Sequence, residues 1–435
     1  MASTDGILGG SARRTSPARR AATGTRLILL MCLAEILCMA GFATYSALLP
    51  TLSHLWGLSS TEAGIVGGVL FGGYIVAAPF LTGLTDRVDA RRVYTSATIV
   101  AASGSLLFAV FADGFWSAVL AQALFGIGFA GVFMPGLKAL SDRIEERLQS
   151  RAVAMYTSLS GLGLGASYAL AGVIESVASW RWAFALAAVG PVLASVLVLV
   201  AVEPRGAPAG GARPGMMRSF ALVFANRPAL GYIVAYAGHC WELYGLRAWM
   251  VAFLGFALAR TSGSEPSTAL GPSAVAAMIA LVGPASSIGF NEVVARVGRL
   301  KLVSVVMSAT FILGCVTGLS WQLPFLAVAI CVAIHYIAVM ADSGALNSGT
   351  VAAARPEQRG ATLAVHSTVG FSAGLLAPVA FGVVLDLGGG TQSGWAWAVA
   401  FASLGLPGLL GAAMVRRLTG RHPSAQPAVA ATGPA

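Results

Sequence analysis

Apolar stretches of about 20 residues recur twelve times along the 435-residue chain, and no other feature restricts its fold so tightly. A stretch of that length crosses the hydrocarbon of a bilayer as a helix. In lipid, a helix is one of only two structures that satisfy every backbone N–H and C=O. The stretches run over 26–49, 61–82, 92–112, 115–137, 152–174, 182–202, 228–258, 270–292, 301–320, 323–347, 359–385 and 395–415. Hydrophobic residues make up 57% of the chain and charged residues 10%, whereas soluble domains carry roughly 25% charge. The expected fold is an all-α membrane protein of twelve transmembrane helices, a multi-pass protein of the cytoplasmic membrane.

Twelve spans return both termini to one side. All but three of the 27 lysines and arginines lie in the tails and in the alternate connections on that side. The exceptions are Arg181 and Arg260, on the other side, and Arg247, inside a span. Basic residues stay cytoplasmic, so both termini are expected inside. The formal charge of +10 is therefore a topology signal that suits anionic lipid and gives no reason to expect nucleic acid. The pairs Arg13-Arg14 and Arg19-Arg20 mimic an export signal. The apolar run after them is too long for one and contains Glu35, so it reads as an uncleaved first span.

Residues 1–25 and 418–435 are polar, small and basic, the composition of disordered tails. Residues 203–227 are rich in Gly, Pro and Arg and divide the spans six and six. The expected domains are therefore six-helix bundles over 26–202 and 228–417. They match at an offset near 209. DRVDARR (86–92) follows span 2 and ARVGRLK (295–301) follows span 8. Gly161 and Gly165 of span 5 answer to Gly370 and Gly374 of span 11, and Glu35 to Glu242. Two parallel repeats related by an axis along the membrane normal place a solute site near the midplane between them.

The loop GLTDRVDARR (83–92) resembles the loop signature of the major facilitator superfamily: a glycine, Asp-Arg, a glycine, then two basic residues. Asp86, Arg87, Arg91 and Arg92 match; Asp89 replaces the second glycine, and Gly83 is one position late. The second copy keeps Arg296, Gly298, Arg299 and Lys301 but has Ala295 for the acid. The resemblance covers about 26–417. It implies that Asp86, Arg87, Arg91, Arg92, Arg296 and Arg299 form a cytoplasmic gate, latched when the transporter faces outward. A plainer reading makes Arg91 and Arg92 topology anchors only. Two positions depart from the family. Gln122 in QALFGIG (122–128) stands where proton-coupled members carry arginine, and SGLGLGASYALAG (160–172) lacks the proline of the antiporter signature. The small residues of that segment still permit close helix packing. GFSAGLLAPVAFG (370–382) reads as a bent or tightly packed gate helix.

An ionisable side chain at the bilayer centre costs roughly 2.5–3.5 kcal/mol on insertion scales, so those that persist are site candidates. Glu35, His239, Glu242, Arg247, His335, Asp342 and His366 qualify, with Gln122 beside them. His239 and Glu242 are three apart and share a helix face, which suits a pair that holds and releases a proton. Arg247 suits an anionic solute, or a salt bridge to Glu242 or Glu35. Asp342 is expected near the cytoplasmic end, bonding Ser343, Asn347 or a neighbouring helix. Trp241, Tyr244 and Trp249 could line a site or simply pack; Tyr45 and Tyr74 read as packing. The external acids Glu62, Asp113, Glu175 and Glu265 read as solvated.

The five cysteines lie in apolar runs without metal-ligand spacing, the pattern of packed thiols. No Walker loop, GxSxG or HExxH occurs, so neither an enzyme nor a cofactor is expected. The function expected is secondary active transport of a small organic solute by a monomer, coupled to protons. Efflux of amphipathic drugs is the alternative within transport, and a transporter-like receptor the alternative outside it.

Overall fold

The computed structural model describes residues 17–206, 221–261 and 271–419. Twelve helices there are long and apolar enough to cross a membrane. They are α1 (Gly24–Trp56), α2 (Ser60–Leu84), α3 (Ala90–Phe111), α4 (Phe115–Ser141), α5 (Glu146–Val177) and α6 (Trp180–Ala201). The second set is α7 (Arg227–Thr261), α8 (Pro272–Val294), α9 (Arg299–Gln322), α10 (Phe325–Ala353), α11 (Arg359–Leu387) and α12 (Gly394–Thr419). No strand occurs among the described residues. Helix is what the apolar runs dictate, because lipid offers no partner to a free backbone group. Large apolar side chains such as Phe80, Trp116, Val200 and Leu410 point outward. Small residues and aromatic clusters fill the inside.

Helices α1–α6 pack on one another, as do α7–α12, giving two six-helix bundles. The first is centred on Tyr94, Phe108 and Tyr156, the second on Trp249, Phe381, Trp397 and Phe401, all fully buried. α4 breaks at residues 130–132 and α10 at Asp342. These equivalent places, about 210 residues apart, fit the repeat. The bundles meet along three seams: α2 on α11, α5 on α8, and the second half of α1 on α7.

Twelve crossings leave two faces: the basic face, carrying the chain ends and Arg-rich connections, and the opposite face. The α2–α11 seam is tight towards the opposite face. Gly64 and Gly68 lie against the backbone of Pro378 and Leu375, and Gly382 against Ser60, so any Cβ there would strike main-chain atoms. Asp386 closes the seam. Its Oδ1 accepts from Ser60 N (2.9 Å), and its Oδ2 accepts from Thr61 N (2.8 Å) and Thr61 Oγ1 (2.6 Å). The carboxylate of one bundle thus satisfies free N–H groups at the first turn of a helix in the other. On the second seam, Gly161, Gly165 and Gly172 face Pro284, Leu281 and Ser273. The small residues of α5 and α11 therefore serve close packing, and α11 is a single helix with Pro378 inside it.

On the basic face, both carboxylate oxygens of Asp89 accept from the one Arg143 Nη2 (2.7 and 2.9 Å), and Oδ2 accepts from Arg205 N as well (2.8 Å). Arg143 Nε donates to the Glu203 carbonyl, so the start of the linker is tied to the bundle. Burial raises the Asp89 pKa. Its hydrogen bonds from Arg205, Arg143 and Arg91, with the Arg143 charge, outweigh that and hold it below the usual aspartate value.

Several expectations change. Helix begins at Pro17, seven residues ahead of the membrane-crossing stretch α1, rather than at 26. Proline at the first helical position and the alanines after it favour helix, whatever their polarity. The last helix reaches Thr419. Residues 1–16 and 420–435, and most of the linker, lie outside the described residues. The external acids are not simply solvated. Glu62 forms a capping box with Ser59, Asp113 accepts from Ser117, and Glu175 accepts from Thr51. For Glu62 the draw is a free N–H at a helix start; Asp113 and Glu175 accept from hydroxyls. Glu265 is outside the described residues.

Candidate functional site

A small cavity of about 30 Å³ lies where α1, α2, α4 and α5 face α7 and α11. Its wall on the second bundle carries Arg247, Tyr244 and Ala248; the first bundle contributes Gln122, Ser46 and Tyr168. Phe42, Tyr45 and Phe71 supply flat apolar surface. The break in α1 over residues 40–43 puts Phe42 and Ala43 there. Ser167 Oγ accepts from Ala43 N (2.9 Å), using a side chain where the helical bond is lost.

Arg247 is the cation of this cavity. Its Nε and Nη2 donate to the Tyr336 hydroxyl on α10 (3.1 and 2.8 Å), and its Cζ lies 5.9 Å from the Tyr244 ring centre. Its own carbonyl accepts from the Tyr168 hydroxyl across the bundle boundary (2.7 Å). No carboxylate pairs with it among the described residues, so neither expected salt bridge, to Glu242 or to Glu35, is formed. Glu242, five residues back on α7, pairs with His335 of α10, and Arg247 bonds the next residue of α10, Tyr336.

Glu242 Oε1 lies 3.0 Å from His335 Nε2, and His239 Nδ1 lies 2.7 Å from Asp342 Oδ1. These two buried pairs bridge α7 and α10 as consecutive rungs. His239 and Glu242 share a face as expected, but each pairs across the helix interface rather than with the other. Of the partners expected for Asp342, the one it takes is on a neighbouring helix, His239, because the α10 break turns its carboxyl towards α7. His366 on α11 bonds Asn347 Oδ1 (3.1 Å) and Thr350 Oγ1 (3.1 Å) and stacks on Tyr236 at 3.7 Å. The polar ladder thus runs from His366 through His239–Asp342 to Glu242–His335, wholly within the second bundle.

Glu35 stands apart, fully buried in the first bundle without an ion-pair partner among the described residues. Its surroundings include Tyr156, Tyr94 and Cys38. Gln122 is 6% exposed and lines the cavity. Of the aromatics, Tyr244 and Tyr45 line the cavity; Tyr45 joins it although it read as packing. Trp249 is buried in the core, its indole N–H on the Pro378 carbonyl (3.0 Å). The gate residues are dispersed. Arg87, Arg92 and Arg296 are exposed, and Arg91 donates to the Leu199 carbonyl within its own bundle (2.6 Å). The sequence reading missed Tyr336, Tyr168, Asp89 and Asp386. Tyr336 follows His335 directly, which was the only available signal for it.

A family model described as Major Facilitator Superfamily matches residues 31–378, most of the chain and both bundles. The chain belongs to the major facilitator superfamily. It is 32% identical over 168 residues to the uncharacterized transporter YgaY of Escherichia coli O157:H7. That match covers 38% of this chain and 41% of the relative. It is 30% identical over 148 residues to a probable 4-methylmuconolactone transporter of Cupriavidus pinatubonensis, covering 32% and 33% of the two chains. With the gentisate transporter of Corynebacterium glutamicum it shares 27% identity over 164 residues, covering 37% and 36%. The matches thus span about a third to two-fifths of these relatives. Among solved structures, an inward-facing, occupied bacterial homologue of the lysosomal transporter Spinster superposes with a TM-score of 0.71. It shares 16% identity and covers 94% of this chain and 98% of its own, a likeness of fold.

Proposed function

We propose that this superfamily member is a secondary transporter that moves a small organic anion across the cytoplasmic membrane by alternating access, coupled to protons. The observation behind the reading is Arg247: a guanidinium inside a span, at the cavity between the bundles, with no carboxylate partner. A charge left in a low-dielectric site without a counterion is costly. An anionic solute supplies that counterion, and the flat rings around it suit a planar body. The gentisate and methylmuconolactone transporters carry that chemistry in their names, since both compounds are organic acids. Drug efflux calls for a large apolar pocket without a reachable arginine, and this cavity is neither.

Proton coupling rests on the Glu242–His335 and His239–Asp342 pairs and on Glu35. Asp86, Arg87, Arg91, Arg92, Arg296 and Arg299 form the cytoplasmic gate once the basic face closes. The working unit is the monomer.

The test uses purified protein in liposomes with a trapped pH dye, challenged with organic anions, sugars and amphipathic cations. Anion-driven proton movement is expected in the wild type and absent in Glu242→Gln. Anion movement without protons would remove the coupling. Binding of a solute with no flux at all would favour a receptor.

A further inference from the structure

We infer that the solute passes between the cavity and the basic face through a layer of four aromatic rings, whose turning makes the room the solute occupies. Phe71 and Tyr74 supply the layer from the first bundle, Tyr244 and Phe371 from the second. The inference rests on the reading of Arg247 as the anion site. The cavity beside Arg247, about 30 Å³, has room for a water or two, so an organic anion must displace part of its wall. Towards the opposite face the wall is backbone. There the α2–α11 seam runs in register from Ser60 with Gly382, through Gly64 with Pro378, to Gly68 with Leu375, each glycine lying on main-chain atoms. Such close contacts open only when whole helices part.

One turn of α11 further towards the basic face, the same seam meets through rings. Tyr74 lies 4.3 Å from Phe371 and Phe71 lies 4.3 Å from Tyr244, centre to centre, with Phe71 and Phe371 at 6.0 Å. All three contacts cross from one bundle to the other. Ring pairs of this kind are individually weak. Rotation about side-chain bonds undoes them without moving the backbone. Gly374 seats the layer: a Cβ there would strike ring carbons of Tyr244 and Phe71 at 2.8 and 3.1 Å. Tyr244 and Phe371 are half-buried, which leaves them space to turn into. Phe71 and Tyr244 also line the cavity, so their turning enlarges the site and clears the route in one movement. Tyr74 and Phe371, outside the cavity wall here, thereby become solute contacts. The side of the cavity closed by backbone and the side closed by rings thus differ in what opening them requires.

The test replaces Ser46, on the cavity wall, by cysteine in the full-length protein. Vesicles with the basic face outward are exposed to a membrane-impermeant methanethiosulfonate cation. Mass spectrometry follows modification at residue 46 and separates it from the five native cysteines. In the Ser46→Cys parent, residue 46 is expected to react far more slowly than a cysteine placed at exposed Glu203 by Glu203→Cys. Adding Phe371→Ala or Tyr74→Ala is expected to speed modification at residue 46 about tenfold, the rate factor for losing one ring contact of this strength. A variant that folds and reacts no faster overturns the inference. Equal rates at the two cysteines overturn it as well, whether or not the ring variants fold. Access to residue 46 involves no solute, so these results leave the Arg247 reading standing. Failure of that reading shows instead as carboxylates that bind no tighter than their amides, whatever the modification rates.

Discussion

At the residue scale, the molecule separates two kinds of charge within its spans. The histidine–carboxylate pairs are internally compensated; Arg247 and Glu35 are not. Compensated pairs suit a proton that comes and goes, whereas an uncompensated cation suits a ligand. Tyr336→Phe removes the hydroxyl that receives both Arg247 donors. It is expected to weaken anion binding about tenfold, the loss of hydrogen bonds to a charged group, with little effect on folding; direct titration checks this. Asp89→Ala should leave Arg143 buried without its partner and destabilise the first bundle by about 3–5 kcal/mol, seen as a lower melting temperature. The sign with pH follows from the lowered Asp89 pKa. Its contribution is fully present above the unfolded aspartate value, about 3.9, and is lost as pH falls through the lower folded value. Melting curves of the wild type below about pH 4 should therefore fall more steeply than those of Asp89→Ala.

At the element scale, spans and their order were legible from hydropathy alone, because lipid leaves the backbone no alternative to helix. Partners within the membrane were not. The i, i+3 spacing put His239 and Glu242 on one face, but nothing in it told that α10 would present Asp342 and His335 to that face. Glycine spacing in α5 and α11 announced close packing without naming the neighbour. Asp386 was invisible for a similar reason: its partners lie 325 and 326 residues away. The α2–α11 seam must part for the opposite face to open. Gly68→Val places a branched side chain against the Leu375 carbonyl and should hold the bundles apart there. Spin labels at Asp113 and Gln392, both exposed on the opposite face, should report a longer mean distance in this variant. An unchanged distance distribution would mean the seam yields elsewhere.

At the scale of the whole molecule, the recorded contacts between bundles hold the face opposite the basic one, and the candidate cavity lies at mid-depth. Closing the basic face is the complementary movement, and the loop at 86–92 is placed to serve it. Arg87→Ala is expected to lower the transport rate severalfold while leaving the equilibrium affinity for solute unchanged, since Arg87 is remote from the cavity. Equal loss of both would place Arg87 in solute binding instead. The twelve helices and the polar residues within them could be read from the sequence. The cavity could not, since it needs Gln122 and Arg247, 125 positions apart, to face each other across a seam.

The central claim is that the solute's anionic group is the counterion of Arg247. The most direct measurement is the affinity of the nanodisc-embedded protein for carboxylates against their neutral amides: benzoate with benzamide, and lactate with lactamide. At least one carboxylate should bind about 10- to 100-fold tighter than its amide, the range for a charge-assisted hydrogen bond, and Arg247→Gln should erase the difference. Amides that bind as tightly as the acids, or a preference that persists in Arg247→Gln, would contradict it.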